Sequence, residues 1–166
     1  QDGDFARKVA VEPHTEVGQI ALEYNRVLDR VQAEIAERAE AEKRFRSIFD
    51  NAIEGIFQTT PEGKYLNANP ALARIYGYDS TDDLIVAMGD ISRQLYVKPE
   101  RREDFKRLLD ATDSIRGFES EVYRKDGSII WIEESARACR DENGKVLYYE
   151  GSVDDITQRK QAERLL

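Results

Sequence analysis

The chain has 166 residues, of which 40% are hydrophobic and 35% charged, and its formal net charge at pH 7 is −8. This length and apolar content suffice for one domain with a hydrophobic core plus an accessory segment. Nucleic-acid binding is not expected, because it requires a clustered excess of Lys and Arg. The single cysteine, Cys139, excludes an internal disulfide, and the single histidine, His14, leaves no Cys/His set for a structural zinc.

Hydrophobic runs in this sequence are short. None approaches the roughly 20 residues that a membrane-spanning helix needs, and the first residues lack the apolar stretch of a signal peptide. We therefore predict a cytoplasmic chain. The alternative is the cytoplasmic part of an inner-membrane protein whose anchor lies upstream of Gln1.

The first third of the chain carries the pattern of one long amphipathic helix, from Thr15 to about Asn51. This range contains no proline and a single glycine, Gly18, and Thr15 is a suitable N-cap. Apolar residues recur at heptad steps, which predicts a seam that pairs with a second copy of the chain in a homodimer. The predicted seam comprises Val17, Ile20, Tyr24, Val27, Val31 and Ile35. The charged helix formers of residues 36–44 indicate a helical linker, with a solvated helix face that has no signalling role as the alternative.

Short strand patterns follow Asn51, interrupted by helices. A hairpin is predicted over 55–60 and 64–67, and helices are predicted to begin at the caps Asn69 and Ser80 and to occupy about 99–111. The last third predicts three strands, at 117–124, 128–139 and 146–153, because Asp-Gly and Asn-Gly turns separate them. The sum is an α+β domain with one five-stranded antiparallel sheet and helices on one face.

Both faces of the strand at 128–139 carry bulky side chains. Ile130 and Ile132 lie on one face, whereas Ile129 and Trp131 lie on the other. We therefore expect the second face to be covered as well, with the long N-terminal helix as the candidate.

Several motifs in the second half of the sequence resemble a bacterial PAS sensor domain over about residues 45–157. They are FRSIF at 45–49, GIFQTTPEG at 55–63, NANPAL at 67–72, YGYD at 76–79, RKDGSIIW at 124–131 and DIT at 155–157. The resemblance implies the strand order 2-1-5-4-3. It also implies that the DIT motif connects the last strand to a C-terminal helix that drives an effector domain in the same polypeptide.

The N-terminal segment resembles the connector and second helix of a HAMP signal-relay domain. The matching residues are Asp2, Gly3, Asp4, Phe5, Val9, Val11, Glu16, Val17, Gly18, Tyr24 and Asn25. Thr15 stands where an acidic residue is usual, Tyr24 stands where Phe is commoner, and the first HAMP helix has no counterpart. A generic dimerising coiled coil is the alternative. The predicted domains are a HAMP-like segment at 1–35, a linker at 36–44, a PAS domain at 45–157 and a signalling helix beginning at 158–166.

Catalysis is not expected of this chain. Glu133 and Glu134 are the densest carboxylate pair in the predicted sheet, but neighbouring strand residues point to opposite faces and cannot converge. Glu134 shares the inner face of Ile130 and Ile132, where it would contact a ligand or, as we prefer, pair with an arginine. A histidine kinase or diguanylate cyclase effector elsewhere in the parent protein would supply catalysis.

No cofactor is expected. His14 precedes the domain, whereas haem-binding PAS domains commonly use a histidine on the helical side, so a His-ligated haem is not predicted. Cys139 is late in the chain, unlike the cysteine of photoactive flavin domains. A non-covalent flavin or another small ligand stays open as an alternative to a plain core. The candidate cavity residues are Ile56, Asn67, Ile75, Tyr76, Phe105, Phe118, Val122, Ile130, Ile132 and Glu134.

The predicted signal relay is the junction formed by Asp154, Asp155, Ile156, Thr157 and Gln158. Asp155 and Gln158 fit a capping box, which would hold the C-terminal helix rigidly to the last strand. These features predict a sensory or regulatory PAS module of a multidomain bacterial signalling protein, which relays an upstream signal through dimeric helices to an effector. The alternative is a small-molecule or flavin sensor in its own right.

Overall fold

The computed structural model describes residues 8–10 and 14–165. The chain divides into two units, residues 1–47 and 48–166, and each is described by itself. The HAMP-like residues Asp2, Gly3, Asp4, Phe5 and Val11 lie outside the described residues.

The predicted N-terminal helix is present as α1, Glu16–Asn51. Its N-cap is the expected one, because Thr15 Oγ1 accepts a hydrogen bond from Gly18 N at 3.0 Å. The six predicted seam residues are exposed, with between 45% and 75% of each side chain accessible to solvent. Ion pairs four residues apart stabilise the linker, and they join Glu34 to Arg38, Glu40 to Arg44 and Glu42 to Arg46.

A short extended segment lies beside α1 in the same unit. Val9 N donates to Asn25 Oδ1 at 3.1 Å, and Asn25 Nδ2 donates to Val9 O at 3.0 Å. Lys8 forms an ion pair with Asp29 at 3.1 Å. These contacts hold the segment against two turns of the helix.

The second unit contains one five-stranded antiparallel sheet in the order β2-β1-β5-β4-β3, which confirms the predicted fold class. The strands are β1 (Gly55–Thr59), β2 (Tyr65–Ala68), β3 (Ser114–Tyr123), β4 (Ile129–Arg140) and β5 (Val146–Asp155). The helices are α2 (Pro70–Ile75), α3 (Thr81–Ala87), α4 (Ile91–Gln94), α5 (Glu100–Thr112) and α6 (Thr157–Arg164). Helices α2 to α5 lie between β2 and β3 in the chain.

Local signals placed most element boundaries correctly. Asn69 and Ser80 cap α2 and α3 through their side chains, and the glycines of the two late turns, Gly127 and Gly144, have positive φ. The short helix α4 was not predicted from the sequence. The third strand was predicted to begin at 117, whereas β3 begins at Ser114, because a register shift between Ile115 and Phe118 interrupts the regular alternation.

The hydrophobic core lies between the sheet and helices α2 to α5. Its completely buried side chains include Leu72, Leu84, Phe105, Leu109 and Ile132. The rings of Phe118 and Tyr149 pack edge-on against Phe105, with centroids at 5.7 and 6.1 Å.

The inner face of β1 differs from the expected one. Phe57 and Thr59 are buried, whereas Ile56 is half-buried, as the period-two alternation requires for the opposite face. Asn67 in β2 is exposed. The prediction that Ile56 and Asn67 line the interior is therefore wrong. The short β1 offered an apolar residue in either register, and only its pairing with the neighbouring strands decides between them.

Candidate functional site

A small cavity lies between the sheet and the helices of the second unit. Its volume is about 10 Å³, which is roughly the space that one water molecule needs. Its walls combine apolar side chains with three polar ones, and the lining residues are Phe57, Thr59, Tyr65, Ile91, Leu95, Arg102 and Glu134. Of the residues predicted for a ligand cavity, Glu134 alone is in this lining.

The other predicted cavity residues lie in the surrounding core. The buried ones are Tyr76, Phe105, Phe118, Val122, Ile130 and Ile132. Ile75 is partly buried and packs against the same cluster. These side chains shape the interior but do not border the cavity.

Glu134 is a carboxylate with only 3% of its surface exposed. Tyr96 donates its hydroxyl to Glu134 Oε2 at 2.8 Å, so a tyrosine takes the role for which we had expected an arginine. Burial raises the pKa of Glu134 to about 7, although the Tyr96 hydrogen bond and the charge of Arg102 lower it. This carboxyl group therefore titrates close to neutral pH.

Arg102 is the second polar wall of the cavity, in the first turn of α5. It is 3% exposed, yet neither its Nε nor its Nη2 has a hydrogen-bond partner among the described residues. The guanidinium carbon lies 5.1 Å from the Phe105 ring centroid and 5.7 Å from that of Tyr149. A buried charge without hydrogen bonds is costly, so this arrangement calls for a physical reason.

Thr59, the third polar wall, is 1% exposed, and its Oγ1 also lacks a partner within the described part of the chain. Nearby, burial raises the pKa of Tyr65 and Tyr76, and the charge of Glu134 adds to the shift of both hydroxyls. The hydroxyl of Tyr76 interacts with Tyr65 electrostatically without meeting the geometry of a hydrogen bond. The interior thus holds several polar atoms that have no hydrogen-bond partner among the described residues.

The junction between β5 and α6 is closed by hydrogen bonds. Asp155 Oδ1 accepts from Thr157 N at 2.9 Å and from Thr157 Oγ1 at 2.5 Å, and its Oδ2 accepts from Arg124 Nη2 at 2.9 Å. Trp131 in β4 donates its N–H to Thr157 Oγ1 at 3.0 Å and accepts from Ile156 N at 2.9 Å. The start of α6 is therefore bonded to β4 as well as to β5.

The capping box predicted at this junction does not form. The N-cap residue of α6 is Ile156, which has no side-chain oxygen to offer, and the side chain of Gln158 makes no hydrogen bond with any described residue. Asp155 acts one position earlier, where it closes a turn onto Thr157. The spacing of Asp and Gln was suitable, but the bonds to β4 set the start of the helix.

Two basic residues of α6 contact the sheet. Arg159 Nη2 lies 2.6 Å from Glu119 Oε1 and 3.0 Å from Glu133 Oε2, and Lys160 Nζ lies 2.5 Å from Glu119 Oε2. The Lys160 hydrogen bond is the main cause of a lowered pKa at Glu119. Asp154 of β5 lies opposite Glu133 of β4 in the sheet register. Burial is the main cause of the raised pKa of Asp154. The ion pairs of Arg159 and Lys160 with the sheet were not predicted from the sequence, because only the tertiary structure brings these residues together.

Asn69 connects the N-terminal elements of the domain, because its side chain bonds to α1, β1 and α2. Its Oδ1 accepts from Ile56 N at 2.8 Å and from Leu72 N at 3.0 Å. Its Nδ2 donates to Phe49 O and Glu54 O, each at 3.0 Å. The cap of α2 therefore also binds the last turn of α1 and the start of β1.

No helix in residues 8–10 and 14–165 is long and apolar enough to cross a membrane. The same residues contain no group of three or more His, Cys, Asp or Glu side chains that could hold a metal ion.

Comparison with known proteins places this geometry in a family. The family model of the PAS domain matches residues 53–158. The sensor histidine kinase TmoS of Ectopseudomonas mendocina is 29% identical over 171 residues, which cover 99% of this chain and 17% of the kinase. A methyl sulfide methyltransferase-associated sensor of Methanosarcina acetivorans is 33% identical over 82% of this chain and 13% of that protein.

A probable diguanylate cyclase of Escherichia coli, DgcE, is 25% identical over 84% of this chain and 12% of its own length. The chain thus spans at most 17% of these relatives. The crystal structure of a PAS domain from Colwellia psychrerythraea matches with a TM-score of 0.60 and 26% identity, covering 72% of this chain and 99% of that domain. With the observed sheet order and the matched residues, this chain belongs to the family of PAS domains, the sensor modules of signal transduction.

Proposed function

We propose that this chain is a regulatory PAS module that passes a conformational signal from α1, through its sheet, to α6 and an effector domain in the same polypeptide. The proposal is carried by one observation: the junction at Asp155 and Thr157 bonds α6 directly to both β4 and β5. A displacement of either strand would move the helix, because no flexible segment separates them.

The input end supports the same direction of transfer. Asn69 bonds the last turn of α1 to the start of β1, and β1 pairs with β5 along its length, with Gly55 opposite Val153. β5 then leads into Asp155 and α6. The physical path from one helix to the other crosses only two neighbouring strands.

The proposal includes a homodimer formed through α1. Its seam residues Val17, Ile20, Tyr24, Val27, Val31 and Ile35 are apolar or aromatic and exposed. A lone helix with such a stripe gains stability by burying it against a second copy. The proposal also assigns the segments of the chain: a HAMP-like segment at 1–35, a helical linker at 36–44, the PAS domain at 45–157 and the start of a signalling helix at 158–166.

The effector proposed is a histidine kinase or a diguanylate cyclase, because the relatives that match include proteins of both descriptions. The proposed module itself has no catalytic activity and lies on the cytoplasmic side with its effector. We propose no nucleic-acid partner, since the net charge is −8.

Hydrogen–deuterium exchange on the whole chain tests the relay. We expect Asn69→Ala, at the input end, to change the exchange rates of α6 amides severalfold. The matched control is Asn143→Ala, in the exposed turn before β5. If Asn69→Ala alters exchange only in α1, β1 and α2, the two helices are not coupled and the relay is wrong.

A second candidate function, sensing of a small molecule, is favoured by the unpartnered Arg102 and Thr59 in the cavity. A volume of about 10 Å³ is far below the roughly 300–1,000 Å³ of sites for drug-sized molecules, so the flavin alternative would require a large rearrangement. Absorption spectra and mass spectrometry of the purified protein test this candidate. A bound chromophore or a stoichiometric large ligand would contradict the small-ligand reading.

A further inference from the structure

We propose that the cavity binds a small planar carboxylate, such as formate or acetate, through the guanidinium of Arg102. This inference rests on the sensory function proposed above and adds the chemical class of the ligand. Its basis is a buried cation that borders a cavity and has two unpartnered donors.

The free donors of Arg102 are Nε and Nη2. These two nitrogens form one edge of the planar guanidinium, and their N–H bonds are nearly parallel. That edge matches the two oxygens of a carboxylate, which it binds through two hydrogen bonds. A tetrahedral oxyanion can also bind this edge through two of its oxygens, but it is bulkier than formate and fits a cavity of about 10 Å³ less well.

Arg101, the preceding residue of the same helix, provides a comparison because its guanidinium donates hydrogen bonds to other protein atoms. Arg101 donates from Nη2 to Glu119 O at 2.8 Å and from Nε to Ser120 Oγ at 3.4 Å, and its guanidinium carbon lies 4.0 Å from the Phe118 ring centroid. Arg101 is thus occupied by protein atoms. Arg102 is more deeply buried and keeps its carboxylate-binding edge free.

The remaining walls suit the rest of a small carboxylate. Thr59 Oγ1 is a free donor and acceptor, and Phe57, Ile91 and Leu95 supply apolar contacts. The volume of about 10 Å³ is roughly that of one water molecule, so formate, with three heavy atoms, enters only if neighbouring side chains move apart, and acetate requires a larger displacement.

Glu134 sets a condition on binding. One of its oxygens accepts from Tyr96, and its ionised form would repel a second carboxylate in the same cavity. Its protonated form removes that repulsion and offers an additional donor. The charged and titratable groups that shift the pKa of Glu134 are Tyr96, Arg102 and Arg101. Tyr65 and Tyr76 lie near enough for the charge of Glu134 to raise the pKa of their hydroxyls.

Nuclear magnetic resonance on the whole chain provides the test. The Nε–H signal of Arg102 is followed while sodium formate or sodium acetate replaces sodium chloride at constant ionic strength, at pH 6. We expect a saturable shift with either carboxylate and none with acetamide, which has the same shape without the charge. Sodium sulfate should leave the signal unchanged.

Variants separate specific binding from a general salt effect. Arg102→Met should weaken acetate binding about tenfold or more, read from the backbone signals of Thr59 and Glu134. Arg107→Met is the matched control, because it removes one charge from an exposed position of α5 and should leave binding unchanged. Thr59→Val, which keeps the side-chain shape, should weaken binding severalfold and serves if Arg102→Met does not fold.

Three results would overturn the proposal: no saturable shift with formate or acetate, an equal shift with acetamide, or unchanged acetate binding in the folded Arg102 and Thr59 variants. None of them bears on the relay. The relay is measured separately, without added carboxylate, by α6 exchange in Asn69→Ala.

Discussion

The junction before α6 and the cavity inside the same domain differ in whether their polar groups have hydrogen-bond partners within the protein. At the junction, both oxygens of Asp155 and the hydroxyl of Thr157 are engaged by protein partners. In the cavity, Arg102 and Thr59 are almost fully buried and hold unpartnered donors. The polar groups of the junction are thus satisfied within the protein, whereas the buried donors of the cavity lack hydrogen bonds, which costs stability.

The two regions meet on β4. Glu134 points into the cavity, and its neighbour Glu133 points to the other face, where Arg159 of α6 contacts it. Adjacent residues of one strand therefore serve the two regions. Under the proposed relay, a displacement of β4 at Glu134 would therefore act directly on the contact between Glu133 and Arg159 of α6.

The largest expected effect concerns the cost of ionising Glu134. Its pKa is about 7 in the folded chain against 4.5 for the ordinary group, so its contribution to stability is fully present below pH 4.5 and is lost as pH rises through 7. We expect this loss to be about 3 kcal/mol in the free energy of unfolding. Urea unfolding from pH 4.5 to 8 should show it as a difference from Glu134→Gln.

Glu133→Gln is the matched control for that measurement, because Glu133 is the partly exposed neighbour on the opposite face. It should keep the pH dependence of the unsubstituted chain. Parallel pH profiles for the unsubstituted chain and Glu134→Gln would show that the cavity does not perturb this carboxyl group.

The next effect has the opposite sign from most core substitutions. We expect Arg102→Met to raise the free energy of unfolding by about 1–2 kcal/mol, because it replaces a buried guanidinium, whose Nε and Nη2 have no hydrogen-bond partner, with an apolar side chain of similar length. Thermal and urea unfolding at pH 6, without added carboxylate, measure it. Arg101→Met should instead destabilise the chain, since Arg101 is hydrogen-bonded. Destabilisation by both substitutions would mean that Arg102 serves the fold.

A smaller loss is expected at the junction. Thr157→Val removes the hydroxyl's bonds to Asp155 and Trp131 but keeps the bond from Thr157 N to Asp155. It should lower the free energy of unfolding by about 1 kcal/mol while raising hydrogen exchange in α6. Gln158→Ala should change neither quantity, because the capping box is absent. An equal effect of both substitutions would contradict the bonding described for this junction.

The smallest effect should come from Arg159→Gln. The ion pairs to Glu119 and Glu133 are partly exposed, so we expect a loss of only a few tenths of a kcal/mol. The loss should disappear in 1 M NaCl, where charges are screened over about 3 Å. Unfolding of both proteins at low and high salt measures it, and a loss that persists in salt would point to packing.

Sequence reasoning was most successful where structure follows from neighbouring residues. The caps at Thr15, Asn69 and Ser80 and the glycine turns at Gly127 and Gly144 were predictable, because each is decided within a few residues of the chain. The PAS motifs added the strand order. The face of Ile56 was not predictable from its strand, since a five-residue strand with apolar residues in both registers has no unique inner face.

In the candidate site, too, only the features that depend on neighbouring residues were predictable from the sequence. The alternation of β4 was sufficient to place Glu134 inside, because a strand fixes which side chains share a face. It could not identify Tyr96 as the partner or show that Arg102, in a charged helix, lies in the core. Those facts depend on how α5 and the segment around Tyr96 pack on the sheet.

Motifs and short-range backbone chemistry identify the family, every element except α4, the caps of α1, α2 and α3, the late turns and the position of the junction before α6. Which polar groups find partners depends instead on the tertiary structure. Asp155 and Thr157 find them across the sheet, while Arg102 and Thr59 do not. That difference depends on distances between residues far apart in the chain, and no local pattern encodes them.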